Sequence, residues 1–472
     1  MSEGIREKVL NEGIAGLRKF VEAHHVKHRQ PGTGFADFER GLHARVMDLE
    51  RSLLAEELVR ADVDADQVFI DGVPHRRVLR AEETYMTAAG EVRVMRTLYK
   101  DRTDPDAQSL CPLELRTGIL EGFWSPVAAE QSLWVVAQMT PQMGQELFKR
   151  MGNMAPSKAS LDRLPKRIGE RWEDHRVEFE EELRETMKVP REAKSMVISL
   201  DGVYAPMNDT DPEATRKAAA ASGKIAKGPA GYREVGCATL AFCDGNGEML
   251  STIRFGRMPE TTKATLKEML LAEATRARSL RPELVQVAIA DAVDDNWEFL
   301  SGEFPRAIQV VDFFHAAEHL SDAIAAVYGD GTLQARRRAS DLRFVLREEV
   351  NGVDIVIRAL NYLKKKHPEI KKVAQTASYF RRHRDRMKYA EARQRGLPIG
   401  SGVVEAACKT LVTQRMKNSG MRWGQIGGQA ILNPRGWSQS ERFDQAWALV
   451  AATYQVEVTV VNNVIPLRPK AA

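Results

Sequence analysis

The chain has 472 residues, of which 43% are hydrophobic, and its 69 Lys and Arg against 65 Asp and Glu give a net charge of +4. This length predicts two to four domains with substantial cores. The first residues lack a signal-peptide pattern and no apolar run approaches about 18 residues, which excludes a membrane-spanning protein and leads us to expect a cytoplasmic one. The 4 cysteines form no C-x-x-C pair, so we expect reduced thiols rather than a cysteine zinc site.

Residues 1–190 are expected to form a mainly helical region with a small β element at residues 67–100, where side chains alternate. One amphipathic helix is predicted from apolar side chains at helical spacing: Phe38, Leu42, Val46, Leu49 and Leu53. From Thr140 to Trp172 the pattern predicts two helices joined by a short turn, the second beginning near Ser157 or Ser160. Read as a helix-turn-helix, this segment would offer DNA four cations: Lys158, Arg163, Lys166 and Arg167. A purely structural helix pair is the alternative.

Residues 195–320 contain predicted strands and helices in the order β-β-β-α-β-α-β-α. The first strand includes VISLDGVYA, and the next two form a hairpin across the turn Asp244-Gly245-Asn246-Gly247. Thr261 and Thr262 can cap a helix, and VQVAIAD and AIQVVD then read as parallel strands. This order is that of the ribonuclease H-like fold, an α/β core with a mixed five-stranded sheet.

The remaining chain is expected to interrupt and then complete this core. A basic helical insertion is predicted over residues 321–396, a core helix over 397–425 and a C-terminal region over 426–472. The loop GKIAKGPAG, at residues 223–231, lacks the phosphate-binding P-loop pattern and is expected to be mobile between the first two strands.

Three acids occupy positions that such a core would bring together. Asp201 interrupts the first strand, Asp291 ends the fourth, and Glu405 lies on the helix that follows Gly400-Ser401-Gly402. An acid in an apolar strand is costly to bury unless it is paired or binds a metal. Carboxylates without thiols or imidazoles suit two Mg²⁺ ions, with Mn²⁺ as a substitute, and the chemistry implied is phosphoryl transfer on nucleic acid. A cap or turn role is the alternative for each acid alone.

Longer motifs around these acids resemble one family. LPIGSGVVEAACKTLVTQRMKNSGMRW at residues 397–423, VVDFFHAAEHL at 310–320 and SLDGV at Asp201 are similar to the ISKra-type transposases of bacterial insertion sequences. The resemblance runs from about residue 122 to residue 447, and it implies Asp201, Asp291 and Glu405 as the metal-binding DDE catalytic triad. The chain departs from the family after the second acid, where Ala292 follows in place of an expected glycine, although Trp297 keeps the register.

Asp312 is the rival for the second acid, because it also ends a strand and precedes His315 in the spacing Asp-x-x-His. Related DDE families carry such a string downstream of the second acid, so we expect Asp312 and His315 to support the site. His315, Glu318 and His319 also spell H-x-x-E-H, the arrangement of a class of zinc proteases. No obvious third ligand follows, and a helix start explains the motif more simply.

Two basic segments are expected to contact DNA phosphates. Lys364–Gly396 has 12 Lys or Arg against 3 Asp or Glu, and its candidates are Arg381, Arg382, Arg384 and Arg386. Tyr389 lies too close to Arg386 for this segment to be the site of a tyrosine recombinase. No acid occurs from Ala406 to Trp423 on a helix expected to run to about Lys417, so we expect these cations to face DNA: Lys409, Arg415, Lys417 and Arg422. A merely solvated face is the alternative.

The resemblance implies a transposase that cleaves transposon-end DNA and joins the freed 3′-hydroxyl to target DNA, without a covalent enzyme intermediate. Its partners would be the double-stranded transposon ends and the target DNA, and it would act at the bacterial nucleoid. Because two ends must be paired, we expect a homodimer or a larger oligomer. The alternative is a domesticated relative that binds DNA without cutting it.

Overall fold

A computed structural model describes residues 2–27, 34–104, 106–208, 221 and 231–460. The chain forms two compact units, one made of the residues up to Asp174 together with those from Asp444, the other of His175–Phe443. Within the described ranges, no helix is long and apolar enough to cross a membrane. Most of the loop at residues 223–231 and the tail after residue 460 lie outside the described residues.

The first unit begins with a pair of long helices, α1 (Ser2–Lys27) and α2 (Phe35–Ala61). The rings of Phe20 and Phe38 stack between them with centroids 5.5 Å apart. The predicted amphipathic helix is confirmed as part of α2. Its apolar stripe packs along α1 rather than inside a core, because Leu58 is the buried residue of α2.

An antiparallel sheet follows, which confirms the predicted β element. Its strands are β1 (Gln67–Ile70), β2 (Val73–Thr87) and β3 (Gly90–Asp101). Gly90 begins β3 with a φ of 116°, a conformation that residues with a side chain rarely adopt, which explains a glycine at this tight connection.

Four helices complete this part of the first unit: α3 (Pro112–Thr117), α4 (Pro126–Gln138), α5 (Pro141–Met151) and α6 (Lys158–Asp174). The two helices predicted between Thr140 and Trp172 are thus confirmed, and the Thr140 side chain caps the first by accepting from Met143 N at 3.2 Å. Residues 152–157 join them, a longer connection than the roughly 3–4 residues usual for a helix-turn-helix.

The second unit is a mixed α/β structure built on a five-stranded sheet. Helix α7 (Arg176–Glu185) precedes it, and the Arg276 side chain fixes this helix by donating to the Arg184 carbonyl at 3.1 Å. The strands are β4 (Ser195–Pro206), β5 (Tyr232–Cys243), β6 (Met249–Arg257), β7 (Val285–Ala290) and β8 (Ile308–Val311). Their spatial order is β6-β5-β4-β7-β8, antiparallel from β6 to β4 and parallel from β4 to β8. The predicted mixed sheet, with its first and fourth strands adjacent, is therefore confirmed.

Helices α8 (Ala264–Leu280) and α9 (Asp294–Glu303) connect the last three strands. The predicted threonine cap of α8 is wrong. Thr262 and the next residue have positive φ angles, and the Glu260 carboxylate instead accepts from Leu266 N at 2.9 Å. An acid at this end of a helix also interacts favourably with the helix dipole.

The predicted helix after β8 is present and continues past residue 320 into the predicted insertion, which is helical as well. Its helices are α10 (Phe313–Tyr328), α11 (Leu333–Glu348), α12 (Gly352–Lys366), α13 (Lys371–Arg382) and α14 (Tyr389–Gln394). Their apolar faces join the core of the sheet, with Leu320, Leu360 and Phe380 fully buried.

The predicted core helix is interrupted by a change of winding. It starts as α15 (Gly402–Ala407), continues as a π-helical turn over Cys408–Thr413 and ends at Met416. Helix α16 (Gln425–Gln439) closes the second unit. The chain then returns to the first unit as α17 (Phe443–Ala452) and β9 (Val458–Val460), and β9 pairs antiparallel with β1.

Candidate active site

The two aspartates of the predicted triad lie side by side at the carboxyl ends of β4 and β7. Ser199 and Ile289 are the last pair of this parallel ladder, and Asp201 and Asp291 each lie two residues beyond it. Both side chains line the same cleft, and the charge of Asp291 acts on Asp201. The sheet therefore brings together two acids that are far apart in sequence.

Asp201 is held in a partly buried position. Its Oδ1 accepts from Gly202 N at 2.7 Å, and the Cys408 thiol donates to its Oδ2 at 3.6 Å. Burial raises the pKa of Asp201, and the negative charge of Asp291 raises it further. A cation bound beside Asp201 would favour the charged form of this carboxylate and oppose the raised pKa.

Helix α9 fixes Asp291 from below. The Asn296 amide donates to Oδ1 of Asp291 at 3.0 Å, and the Trp297 indole N–H donates to its backbone carbonyl at 2.6 Å. The Val293 N–H adds a longer contact of 3.4 Å to the same oxygen of the carboxylate. These bonds stabilise the turn that follows Asp291, in which Ala292 stands in place of the expected glycine.

Arg386 braces this arrangement instead of facing DNA as expected. Its guanidinium lies over the Trp297 ring at 4.3 Å from the centroid and donates to Gln309 Oε1 at 2.7 Å. Burial lowers the pKa of Arg386. No local pattern in the sequence signals this role, because the ring and the cation are distant along the chain.

Asp312 is a structural acid at the start of α10. Its carboxylate accepts three backbone N–H bonds, from Phe314 at 3.2 Å, His315 at 3.1 Å and Ser401 at 3.1 Å. It is 2% exposed. These bonds tie α10 to the segment before α15 and occupy both carboxylate oxygens, which favours a supporting role over a metal-binding one.

Glu405 is exposed and lies in the first turn of α15, where its Oε1 accepts from Ser401 Oγ at 2.7 Å. The π-helical turn that begins at Cys408 leaves some backbone carbonyls without the hydrogen bonds that an ordinary α-helix would make. The buried Arg435 of α16 donates to two of them, Leu411 O at 2.9 Å and Thr410 O. Arg435 therefore fixes the helix that carries Glu405.

The three acids share one cleft of 280 Å³, which is also lined by Asp312, His315 and Glu318. Across the described part of the chain, no three His, Cys, Asp or Glu side chains are grouped closely enough to hold a metal ion as they stand. The Glu405 side chain is exposed, and its hydrogen bond is to Ser401. An all-oxygen donor set, in which the pKa of Asp201 is raised by burial and by the charge of Asp291, fits Mg²⁺.

The histidines of the H-x-x-E-H motif pack against each other. The rings of His315 and His319 meet edge to face at 4.8 Å, and His319 also packs on Tyr379 at 4.6 Å. Burial lowers the pKa of His319, and the nearby His315 lowers it further. This packing accounts for the motif without a zinc ion and gives the protease alternative no support.

The expected DNA contact of Arg415 needs correction. Its side chain is 3% exposed and lies 5.2 Å from the centroid of the Trp423 ring. Burial lowers its pKa to about 10, and Arg435 contributes in the same direction. The reason is the π-helical turn, which adds a residue to the winding and rotates the side chains that follow.

The other expected DNA contacts of the second unit divide into exposed and paired cations. Exposed ones are Arg381, Arg382, Lys409, Lys417 and Arg422. Arg384 is exposed too, but Asp354 accepts from it at 2.5 and 2.9 Å and neutralises its charge. The exposed set after Glu405 remains available for phosphate binding.

In the first unit, the four expected contacts all lie on the exposed face of α6. Lys158 and Arg163 are exposed without an acidic partner among the described residues. Lys166 pairs with Asp162 at 2.6 Å, and Arg167 pairs with Glu170 at 3.1 Å. The opposite face of α6 is apolar and buried, so the helix is amphipathic.

One group of cations was missed in the sequence. Helix α11 presents exposed Arg336, Arg343 and Arg347 at helical spacing, beside the exposed ring of Phe344. The repeat of arginine at steps of seven and four residues was the available signal.

No protein-family model matches the chain, and no curated protein is significantly similar to it in sequence.

Proposed function

We propose that this protein is a metal-dependent DNA strand transferase of the DDE transposase type, with a ribonuclease H-like core. Asp201, Asp291 and Glu405 are its catalytic residues. The observation that carries the proposal is the single cleft that Asp201, Asp291 and Glu405 all line, with the two aspartates just beyond the last pair of the β4–β7 ladder. A structural role explains each acid alone, but it does not explain three acids from separate elements in one cleft.

The strand order supports the choice of fold. A ribonuclease H-like core has three antiparallel strands followed by two parallel strands, with the first strand in the middle of the sheet. The order β6-β5-β4-β7-β8 agrees with this arrangement. The helical segment between β8 and α15 stands where an insertion into such a core would be.

In this proposal the three carboxylates hold Mg²⁺. Asp201 and Asp291 are fixed by the sheet and by α9, while Glu405 exchanges its bond to Ser401 for the metal. Bound Mg²⁺ would activate the attacking water or 3′-hydroxyl and stabilise the leaving oxygen of the phosphodiester. Asp312 keeps α10 and the segment before α15 in place while this happens.

DNA is the proposed partner because exposed cations follow Glu405 in the chain. Lys409 lies one turn beyond Glu405, and Lys417 and Arg422 follow, with no acid between Ala406 and Trp423. Cations here would position the strand and offset the charge of the phosphates near the three acids. We also propose that the protein works as a dimer or larger oligomer, because strand transfer needs two paired ends.

The test is Mg²⁺-dependent cleavage of DNA carrying the inverted repeats that flank the gene. We expect Asp201→Asn, Asp291→Asn and Glu405→Gln each to lower cleavage by at least about 1,000-fold, because the transition state loses metal stabilisation. Binding of the same DNA should persist in all three variants.

Asp312→Asn is the matched control, since it makes the same chemical change beside the same cleft. We expect it to retain measurable cleavage, reduced by about 10- to 100-fold as for a residue that orients others. Normal cleavage by a triad variant would remove that residue from the mechanism. Tight DNA binding without any cleavage by the unaltered protein would favour the domesticated, non-cutting alternative.

A further inference from the structure

Two exposed aromatic rings flank a second cavity in the helical segment of the second unit. Phe314 and Phe344 are 62% and 56% exposed, although phenylalanine is usually buried. Both line a cavity of 580 Å³ between α10 and α11, within the usual size range of ligand sites. Exposed aromatic surface of this kind marks a place where the protein binds a partner.

Cations surround the ring of Phe344. Arg343 and Arg347 line the cavity, and Arg336 lies two turns before Arg343 on the same face of α11. Arg347 donates to Glu348 at 2.7 Å, while no hydrogen bond or ion pair among the described residues engages Arg343. The partner should therefore present an apolar, flat group together with negative charge.

The cavity shares lining residues with the cleft of the three acids. Phe314 and Glu318 line both, and Phe314 is the second residue after the Asp312 cap that fixes the start of α10. Gly400 leaves room for this ring, because a Cβ at that position would lie 2.7 Å from a ring carbon of Phe314. A strand held at the three acids would thus pass beside the cavity.

We propose that this cavity is a stacking pocket for an unpaired base of the DNA strand, next to the phosphate held at the three acids. The inference rests on the proposed function and extends it to the form of the substrate. Bases of any sequence stack on aromatic side chains, and arginines bind the adjoining phosphates. Glu318 only accepts hydrogen bonds, so it suits the amino group of a base rather than a phosphate.

The test compares binding of two DNA probes in the absence of Mg²⁺, where cleavage does not interfere. One is a blunt duplex, and the other carries a short single-stranded overhang with 2-aminopurine at the first unpaired position. We expect the unaltered protein to prefer the overhang and to quench its fluorescence by stacking. Phe344→Ala should weaken binding of the overhang by about 10-fold and remove the quenching, with blunt-duplex binding little changed.

Matched variants separate stacking from general contact. Phe344→Trp should keep the preference and Phe344→Leu should lose it, because only the former retains an aromatic face. Tyr362→Ala should leave it intact, since Tyr362 is similarly exposed, at 64%, but lies on α12 outside the pocket. All these rings are at the surface, so we expect the variants to fold.

The outcomes distinguish this inference from the proposed function. Equal affinity of the unaltered protein for both probes, or equal weakening of both by Phe344→Ala, overturns the stacking pocket. Cleavage that depends on Asp201 together with no overhang preference overturns the pocket alone. An overhang preference that depends on Phe344 in a protein that never cleaves DNA supports the pocket and contradicts the proposed function. If Phe344 instead binds a protein ligand, and Phe344→Ala leaves the affinity for both DNA probes unchanged, the stacking pocket is also overturned.

Discussion

The indole N–H of Trp297 donates to the backbone carbonyl of Asp291 at 2.6 Å. Five residues lie between the two in sequence, and Asn296 of α9 also donates to the Asp291 carboxylate at 3.0 Å. The Arg386 guanidinium covers the other side of the Trp297 ring at 4.3 Å from its centroid. One acid of the cleft is therefore fixed by contacts that extend into the helical segment.

Trp297→Phe is expected to lower Mg²⁺-dependent cleavage by about 10- to 100-fold, because the ring is kept but the bond that orients Asp291 is lost. The concentration of Mg²⁺ needed for half-maximal thermal stabilisation should also rise, which a loss of packing alone would not cause. Trp134→Phe is the control, since Trp134 is an exposed tryptophan of α4 in the first unit. Unchanged cleavage and Mg²⁺ dependence in Trp297→Phe would contradict this role.

Asp201→Asn should stabilise the protein in the absence of divalent ions. Burial and the charge of Asp291 raise the pKa of Asp201, so the folded protein holds this proton more tightly than the unfolded chain. Its contribution to stability therefore falls as the pH rises from about 3.9, the usual pKa of Asp, through the raised value. At neutral pH the substitution should increase the free energy of unfolding by ~1 kcal/mol, measured by chemical denaturation.

Added Mg²⁺ should make the unaltered protein more stable than Asp201→Asn. A cation that binds the folded state alone stabilises it, so added Mg²⁺ should raise the melting temperature of the unaltered protein more than that of Asp201→Asn. Asp330→Asn, at an exposed position after α10, is the control and should change neither value. A metal-free Asp201→Asn protein that is less stable than the original would show that the aspartate pair is not under electrostatic stress.

Arg435→Met should destabilise the second unit by about 2–4 kcal/mol, because the carbonyls of Thr410 and Leu411 lose buried hydrogen-bond donors. Burial lowers the pKa of Arg435 to about 10, which leaves the side chain charged at neutral pH. Arg435→Lys keeps the charge but not the planar fork, so we expect it to restore part of the stability and little of the cleavage. Full cleavage by Arg435→Met would show that Arg435 is not needed to position Glu405.

Replacing Lys409 and Lys417 with Ala should weaken DNA binding whatever the sequence of the probe. The slope of log affinity against log salt should decrease by roughly 0.9 for each phosphate that the protein no longer neutralises. Lys372→Ala is the control, because Lys372 pairs with Asp322 at 2.8 Å. Arg415→Ala should lower stability and leave the slope unchanged, since this side chain is buried. An unchanged slope in the double variant would mean that these lysines are only solvated.

The sheet and the aspartate pair could be predicted because their signals are local. The strand that holds Asp201 is an apolar run, Asp244–Gly247 is a turn sequence, and crossover helices set the strand order. The π-helical turn after Glu405 could not be predicted. Its carbonyls are bonded by the guanidinium of Arg435 on α16, and the spacing of apolar residues in the helix itself does not reveal such a contact. The same applies to the burial of Arg415, which a regular helix would have left on the surface.

The threonine cap failed for a similar reason. Thr261 and Thr262 have suitable side chains, but the Glu260 carboxylate accepts from the helix N–H instead, and the backbone takes a positive φ to allow it. The sequence pattern correctly indicated that a side-chain oxygen caps the helix, but it assigned this oxygen to threonine instead of Glu260. Tertiary geometry decides between neighbouring candidates that a sequence pattern treats alike.

The pairing of β9 with β1 affects when the first unit can complete its fold during synthesis. Residues 67–70 leave the ribosome early, but their partner strand at residues 458–460 emerges only after the whole of His175–Phe443. Chains grow from the first residue to the last, so the sheet of the first unit lacks β9 until every residue of the second unit has been synthesised. The unit that begins the chain is therefore the one whose sheet is completed by the later residues.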